Sequence, residues 1–184
     1  NNAFPWLSAQ RADVGLAEST VLRINFVGEL GWEIHHPIEM QNQVFDSIIK
    51  AGNDFGLMPF GIRAMDSLRL EKSYRLVGTE LSIEYSAFES GLRRFVHPNK
   101  GDFIGRDALV AWQQRGFSNS LVTMEVHDTT DADAIGNNAI FKDGKNVGRA
   151  TSGGFGFRLN KSLALAMIRP DLTEVGMELE ISIL

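Results

Sequence analysis

The stretch that decides the fold is VLRINFVGELGWEIHH, residues 21–36. Its first part alternates between apolar and polar side chains, as a half-buried β-strand does. The four residues Gly28-Glu29-Leu30-Gly31 then supply a tight turn, and extended character resumes from Trp32 to His35. The pattern therefore predicts a strand, a turn and a second strand, whereas residues 1–20 are predicted to be irregular.

Two helices are predicted after this stretch. Residues 38–52 carry an apolar stripe at helical spacing, and Gly52 is expected to end that helix. A loop rich in glycine and proline follows, and residues 62–71 then alternate apolar and charged side chains with helical period. Together with the first strands, these helices predict a mixed α+β half.

The second half of the chain is predicted to be mostly β-structure. After a helix over about 106–115 the apolar period changes from 3.6 to 2. Strands are predicted at 121–126, 163–168 and 177–184, with a hairpin at 139–148 that turns at Asp143-Gly144. The glycine-rich residues 151–156 are expected to form a flexible loop between strands.

The fold class is therefore α+β, with the best boundary signal at the Pro-Asn-Lys-Gly run of residues 98–101. We predict an α+β part over residues 1–97. The linking helix and a small antiparallel β-barrel or jelly roll are predicted over residues 98–184. Because the chain begins without Met and stops inside an alternating strand, we expect it to be a fragment of a longer polypeptide.

Composition excludes several classes of protein. The 184 residues are 43% hydrophobic and 22% charged, which is typical of a globular domain, and no apolar run is long enough for a membrane span. Cysteine is absent, which excludes disulfides and thiolate metal sites and fits the reducing cytoplasm. A net charge of −5 without a basic stripe argues against a nucleic-acid partner, although a local basic pocket could bind a small anion.

Glu33 is the first candidate site residue. The alternating pattern of its strand places it on the same face as Gly31 and His35. One interpretation is a solvent-facing carboxylate on a half-buried strand. The other is a carboxylate that accepts two N–H donors from a planar heterocycle, since paired charge-assisted hydrogen bonds are geometrically selective.

Arg63 is the second candidate, in the first turn of its helix. One interpretation is an ion pair with Asp66 one turn along the helix. However, the helix dipole disfavours a cation at a helix N-terminus. An external anion is therefore the alternative partner, and the arginine fork matches a ligand carboxylate bidentately.

No metal site and no catalytic triad are predicted. His35 and His36 are adjacent on a strand, so their side chains point to opposite faces and cannot share one ion. Asp128, Asp131 and Asp133 lack the spacing of a calcium loop, and a solvated turn is expected there. The four histidines give no preferred partner for a nucleophilic serine.

Four motifs resemble the glycine-cleavage T-protein (aminomethyltransferase) family. They are residues 23–34 (RINFVGELGWEI), 60–71 (FGIRAMDSLRLE), 100–109 (KGDFIGRDAL) and 147–153 (VGRATSG), in the family's order and at about its spacing. The sequence at residues 28–33 and 71–80 is most similar to that of the dimethylglycine and sarcosine dehydrogenase branch. In that branch the T-protein-like module forms the C-terminal part of a flavoprotein. The resemblance covers roughly residues 20–184.

The resemblance implies a tetrahydrofolate-binding unit, of which this chain holds a ferredoxin-like lobe and a C-terminal barrel but lacks the N-terminal lobe. It implies that Glu33 holds the pterin edge and that Arg63 lies near the glutamyl carboxylate. The family transfers a one-carbon unit from an amine-bound iminium to tetrahydrofolate, which gives 5,10-methylenetetrahydrofolate and a free amine. The family's catalytic Asp, and the FAD domain of the dehydrogenase branch, would lie upstream, so the fragment alone is expected to be inactive.

Two departures from the family pattern qualify this expectation. Phe26 and Val27 stand where many members have Tyr-Thr, so a hydroxyl beside the expected site is missing. Asp102 follows Lys100-Gly101, where a related folate family of iron–sulfur cluster maintenance carries Cys, which disfavours that family. A structural or docking module that has this fold but binds no folate is the alternative function.

Overall fold

The computed structural model describes residues 3–129 and 131–183. The chain divides into two compact units, Asn1–Asp66 and Ser67–Leu184. Each unit has its own antiparallel sheet, so the predicted α+β class is confirmed. The boundary predicted after residue 97, from a loop signal, stays a prediction. No helix within the described ranges combines the length and apolar character needed to cross a lipid bilayer.

The first unit contains a three-stranded sheet in the order β1-β2-β3. Its strands are β1 (Ala9–Val14), β2 (Ala17–Leu22) and β3 (Glu33–His35). Strand β2 alternates along its length: Ala17, Ser19 and Val21 are buried and the residues between them are exposed. Strand β2 therefore has one buried face and one face open to solvent.

The prediction that residues 1–20 are irregular was wrong. Strands β1 and β2 form a hairpin joined by the two residues Gly15-Leu16. Gly15 has φ +64°, which the first central position of a tight type II′ hairpin turn requires. Residues 9–13 of β1 are exposed on both faces of the strand, so β1 lacks the apolar–polar alternation by which a half-buried strand is recognised.

The strand–turn–strand predicted at 21–36 is correct in outline and wrong in extent. Strand β2 ends at Leu22, because the Oδ1 atom of Asn25 accepts hydrogen bonds from the backbone N–H groups of Gly28 (2.6 Å) and Glu29 (3.2 Å). An asparagine side chain that closes a turn in this way takes the place of a strand ladder. Strand β3 then returns to pair with β2.

Three α-helices lie close to their predicted positions: α1 (Gln41–Gly52), α2 (Ile62–Glu71) and α3 (Arg106–Arg115). Short 3₁₀ turns occur at Ile38–Met40, Asn53–Phe55, Arg93–Phe95, Pro98–Lys100 and Pro170–Leu172. Helix α1 ends where a Cβ atom on Gly52 would lie 2.5 Å from the side chain of Leu57, so the chain turns closely over this glycine. The helical periodicity of the sequence is therefore confirmed.

The second unit contains a five-stranded antiparallel sheet in the order β4-β7-β6-β5-β8. The strands are β4 (Ser120–Val126), β5 (Ala139–Lys142), β6 (Lys145–Gly156), β7 (Lys161–Ile168) and β8 (Glu180–Ile181). Asp143 (φ +50°) and Gly144 (φ +72°) form the predicted turn between β5 and β6. Within the part of the chain described, β4 and β8 are the two edges and do not pair, so the sheet is open rather than a closed barrel.

The glycine-rich residues 151–156 form part of β6, so the predicted flexible loop was wrong. A Cβ atom on Gly153 would clash with the carbonyl oxygen of Ala134, and one on Gly156 would lie 2.9 Å from the side chain of Glu71. These glycines therefore allow a neighbouring loop and helix α2 to approach the strand. The hydroxyl of Ser67 on α2 also donates a 2.7 Å hydrogen bond to the carbonyl of Phe155.

The core of the second unit lies along β7, in which seven of the eight residues are buried. Leu163 and Leu165 pack with Leu70 of helix α2 on one side of the sheet. Ala166 and Ile168 pack with Ile140 and Val147 in a second cluster. The almost wholly apolar sequence of β7 is thus explained by burial on both faces of the sheet.

Candidate functional site

Glu33 lies on the solvent-exposed face of the first sheet. It begins β3 and pairs with Leu22, and His35 on the same face pairs with Thr20. The side chain of Glu33 is 47% exposed, and its Oε2 atom lies 3.6 Å from Nε2 of His35. The predicted shared face of Glu33 and His35 is therefore confirmed, and the carboxylate is accessible.

Arg63 is the second residue of α2, and its side chain is exposed. It makes no hydrogen bond or ion pair with any residue in 3–129 or 131–183. The intrahelical pair with Asp66, which the sequence leaves open, is consequently not formed. The guanidinium is free to bind an external anion.

Glu33 and Arg63 lie in the same unit but on different elements, and no hydrogen bond or ion pair within the described ranges joins them. A cleft of about 430 Å³ opens beside β3, and its lining residues include Arg11, Glu18 and His35. Neither Glu33 nor Arg63 lines this cleft. The assignment of these two residues to one ligand therefore stays a prediction.

The residues considered as metal ligands do not converge. His36 directs Nδ1 toward the carbonyl of Pro37 at 2.8 Å, and His35 faces Glu33. Asp133 accepts a 2.7 Å hydrogen bond from the hydroxyl of Ser162. Across residues 3–129 and 131–183, no three histidine or carboxylate side chains are grouped to hold a metal ion.

A polar cluster in the second unit was missed by sequence reasoning. The hydroxyl oxygen of Tyr85 accepts hydrogen bonds from Nε (3.1 Å) and Nη2 (2.8 Å) of Arg149, and Arg149 also pairs with Glu84. The hydrogen bond to Tyr85, with the Coulomb attraction of Glu84, raises the pKa of Arg149 above its ordinary value. No sequence motif joins these residues, because β6 lies far along the chain from Tyr85.

This cluster borders a cleft of about 530 Å³ in the second unit. Asn119, Asn137 and Asn146 also line it. Nη1 of Arg149 lies 3.5 Å from Oδ1 of Asn137. Amide, phenol and guanidinium groups thus converge on one concave surface, which can bind a small polar molecule.

Comparison with known proteins gives the family. A family model described as the GCVT N-terminal domain matches residues 1–100, more than half of the chain. The chain belongs to the glycine cleavage T-protein family. A second model of this family, described as its C-terminal barrel domain, matches residues 119–184. The resemblance identified from the four sequence motifs is therefore confirmed.

The relatives of this chain include two kinds of enzyme. Mitochondrial dimethylglycine dehydrogenase of Homo sapiens is 38% identical over the whole chain, which covers 21% of that protein. An aminomethyltransferase of Desulfitobacterium hafniense is 35% identical over 89% of this chain. The matched part is 44% of the length of that aminomethyltransferase. The chain thus spans less than half the length of either relative. The likeness to the dimethylglycine dehydrogenase branch is confirmed.

A solved structure has the same fold. Aminomethyltransferase T of the glycine cleavage system from Bartonella henselae matches the whole chain with a TM-score of 0.87 and 23% identity, and the chain covers 50% of it. At that identity the match shows the fold alone. The cytoplasmic location expected from composition stays a prediction, since the human relative is named as mitochondrial.

Proposed function

We propose that this chain is the tetrahydrofolate-binding segment of a one-carbon-transferring enzyme of the dimethylglycine dehydrogenase, sarcosine dehydrogenase or aminomethyltransferase kind. Membership of the T-protein family, whose relatives here are such enzymes, is the observation that carries the proposal. The substrates would be the folate and a methylated amine. The catalytic Asp, and FAD in the dehydrogenase case, would belong to parts outside this chain, so the chain alone would be inactive.

Within this proposal Glu33 fixes the plane of the pterin ring. Its exposed carboxylate has two oxygens that accept parallel N–H bonds from one edge of a planar heterocycle. Such a bidentate contact forms with only one edge of the pterin ring, and it holds the ring in a single orientation. Tetrahydrofolate supplies the nitrogen N5 that receives the one-carbon unit, and a fixed orientation brings that atom to the iminium carbon.

Arg63 holds the opposite end of the ligand in this proposal. Its side chain is exposed and has no partner in the described ranges, so binding a carboxylate breaks no existing ion pair. A guanidinium binds the glutamyl carboxylate through two parallel N–H bonds. Neither residue transfers a proton; both position the ligand for transfer to give 5,10-methylenetetrahydrofolate and a free amine.

The test is tetrahydrofolate binding by the full-length protein, measured by isothermal titration calorimetry. Glu33→Gln and Arg63→Ala should each weaken binding by about 1.5–3 kcal/mol, or roughly 10- to 150-fold. Glu39→Gln and Lys50→Ala change exposed charges elsewhere in the first unit and should leave the affinity unchanged. Wild-type affinity in both site variants would falsify the site assignment.

A structural or docking module that binds no folate is the second candidate function. It is favoured by one observation, that neither Glu33 nor Arg63 lines the cleft beside β3. The same calorimetry separates the two functions, because a docking module gives no heat of binding with tetrahydrofolate even in the wild-type protein. In that case the upstream sequence would be examined for a flavin-binding domain and for partner contacts.

A further inference from the structure

The strongest unassigned feature is the cleft of the second unit that contains Tyr85 and Arg149. It lies apart in sequence from the residues proposed to bind folate, and it does not depend on that proposal. Tyr85 and Arg149 are both half-buried, and the hydrogen bonds between them fix their relative positions at the cleft wall.

The phenol of Tyr85 is left as a donor. Its oxygen already accepts two N–H groups from Arg149, at 3.1 and 2.8 Å, and these use its lone pairs. The remaining capacity is the O–H proton, which no acceptor within residues 3–129 and 131–183 takes. A phenol that is polarised by a guanidinium is a strengthened hydrogen-bond donor.

The amide side chains add further donors. Oδ1 of Asn137 faces Nη1 of Arg149, so its amide nitrogen is the group left for a ligand. Asn119 also lines the cleft, and its side chain makes no hydrogen bond with the described residues. Three N–H or O–H groups therefore border one cavity in which the positive charge of Arg149 is present. These donors suit a ligand oxygen, and Glu84 is a competing acceptor at the same cleft.

We propose that this cleft binds the carboxylate group of a small organic acid. The O–H of Tyr85 and the amide of Asn137 donate to its oxygens. A charged acceptor is preferred to a neutral carbonyl because hydrogen bonds to an ionised oxygen are about twice as strong. Glu84 opposes the ligand's charge, although its pairing with Arg149 and its exposure to solvent limit that repulsion.

The test uses the two tyrosines of the chain, Tyr74 and Tyr85, as spectroscopic probes. In the 184-residue chain labelled with [¹³Cζ]-tyrosine, the Tyr85→Phe variant assigns the two NMR signals. Added acetate should shift the Tyr85 signal in a saturable way and leave the Tyr74 signal in place. Acetamide, the neutral isostere, should bind at least about fivefold more weakly.

Variants then test the individual contacts by equilibrium titration of acetate. Tyr85→Phe and Asn137→Ala should each weaken binding by about three- to tenfold, since each removes one donor. Glu84→Gln should strengthen binding about two- to threefold, because it removes a repelling charge. Tyr74→Phe is the matched control and should bind acetate as the wild type does.

Several outcomes would overturn the proposal. An acetate titration that shifts neither tyrosine signal, or that shifts both in proportion to concentration without saturation, would show that acetate does not bind this cleft. Equal affinity for acetamide would show that the site does not select a carboxylate. Weaker acetate binding in Glu84→Gln, with unfolding temperature unchanged, would contradict the repulsion assigned to Glu84. Each variant is first checked for wild-type thermal unfolding, and the wild-type titration decides even if one variant fails to fold.

Discussion

The carboxylate of Glu80 accepts a 2.6 Å hydrogen bond from the hydroxyl of Ser152 on β6. Glu80 is completely buried. Its other oxygen accepts hydrogen bonds of 2.8 Å from the N–H of Leu76 and from the hydroxyl of Thr79, and it lies 3.7 Å from the guanidinium of Arg69. The buried charge is thus surrounded by donors, which links the turn at 76–80 to helix α2 and to the sheet.

This network predicts a strong effect of removing the carboxylate. Glu80→Ala leaves the buried guanidinium of Arg69 without its charged partner, and we expect a loss of about 3–5 kcal/mol in the free energy of unfolding. Ser152→Ala removes one hydrogen bond and should cost less, about 1–3 kcal/mol. Chemical denaturation at pH 7 measures both. A loss below 1 kcal/mol in Glu80→Ala would contradict the predicted role of the network.

The stability of the same network should depend on pH. Burial raises the pKa of Glu80, but the hydrogen bonds from Ser152 and its other donors outweigh burial, and the net pKa lies below its ordinary value. A depressed folded-state pKa gives stability that is present above the unfolded-state value of about 4.3 and is lost as pH falls through the folded-state pKa. The stability advantage of wild type over Glu80→Gln should therefore shrink below about pH 4.3 in denaturation series. An advantage that stays constant down to pH 3 would contradict this.

Gly153 should not tolerate a side chain. A methyl group at this position would clash with the backbone carbonyl of Ala134, which cannot rotate away as a flexible side chain could. We expect Gly153→Ala to destabilise the chain by about 1–3 kcal/mol, measured by urea denaturation. Gly61→Ala is the control, because its Cβ atom meets nothing within 4 Å, and it should cost less than about 1 kcal/mol. Equal costs for the two variants would disprove the steric explanation.

Asn25 should contribute stability through its side chain. Asn25→Ala removes the acceptor of two backbone hydrogen bonds, and we expect a loss of about 1–2 kcal/mol in the free energy of unfolding. Asn42→Ala, an exposed position in α1, should be neutral or slightly stabilising because alanine favours helix. Hydrogen exchange of the Gly28 and Glu29 amides is the direct measurement. Unchanged protection of both amides in Asn25→Ala would refute this account.

Leu165 tests the core along β7. It is completely buried and packs with Leu70 and Leu163, so Leu165→Ala should cost about 2–5 kcal/mol through lost burial and the cavity left behind. Leu159→Ala changes the same residue type where the side chain is 48% exposed, and its cost should be much smaller. Thermal unfolding gives both values. A similar shift in Tm for the two variants would place the core elsewhere.

Local periodicity predicted the helices and several strands, because their signals come from neighbouring residues. Helices α1, α2 and α3 and the Asp143-Gly144 turn follow from apolar spacing and turn chemistry alone. The glycines of β6 were wrongly predicted to form a flexible loop. They allow Ala134 and Glu71 to approach the strand closely, and such tertiary contacts cannot be seen in the local sequence. The extent of β2 was misread because the side chain of Asn25 competes with strand pairing.

In the candidate site, too, local features could be predicted from the sequence and tertiary contacts could not. The accessibility of Glu33 and its shared face with His35 follow from strand alternation, which is a local property. The lack of an ion partner for Arg63 could not be read from spacing, since Asp66 stood one turn away on the same helix. The contact between Tyr85 and Arg149 joins two distant segments through sheet topology, and no periodicity encodes it.

The pairing of β2 with β3 is set by backbone partners, Leu22 with Glu33 and Thr20 with His35, while the connection between them is closed by Asn25. The connection is therefore separable from the ladder that fixes the register. Homologous segments of different length or composition could be grafted between the two strands without rotating Glu33 to the other face. The side chains of this connection can thus vary while the carboxylate of Glu33 keeps its place.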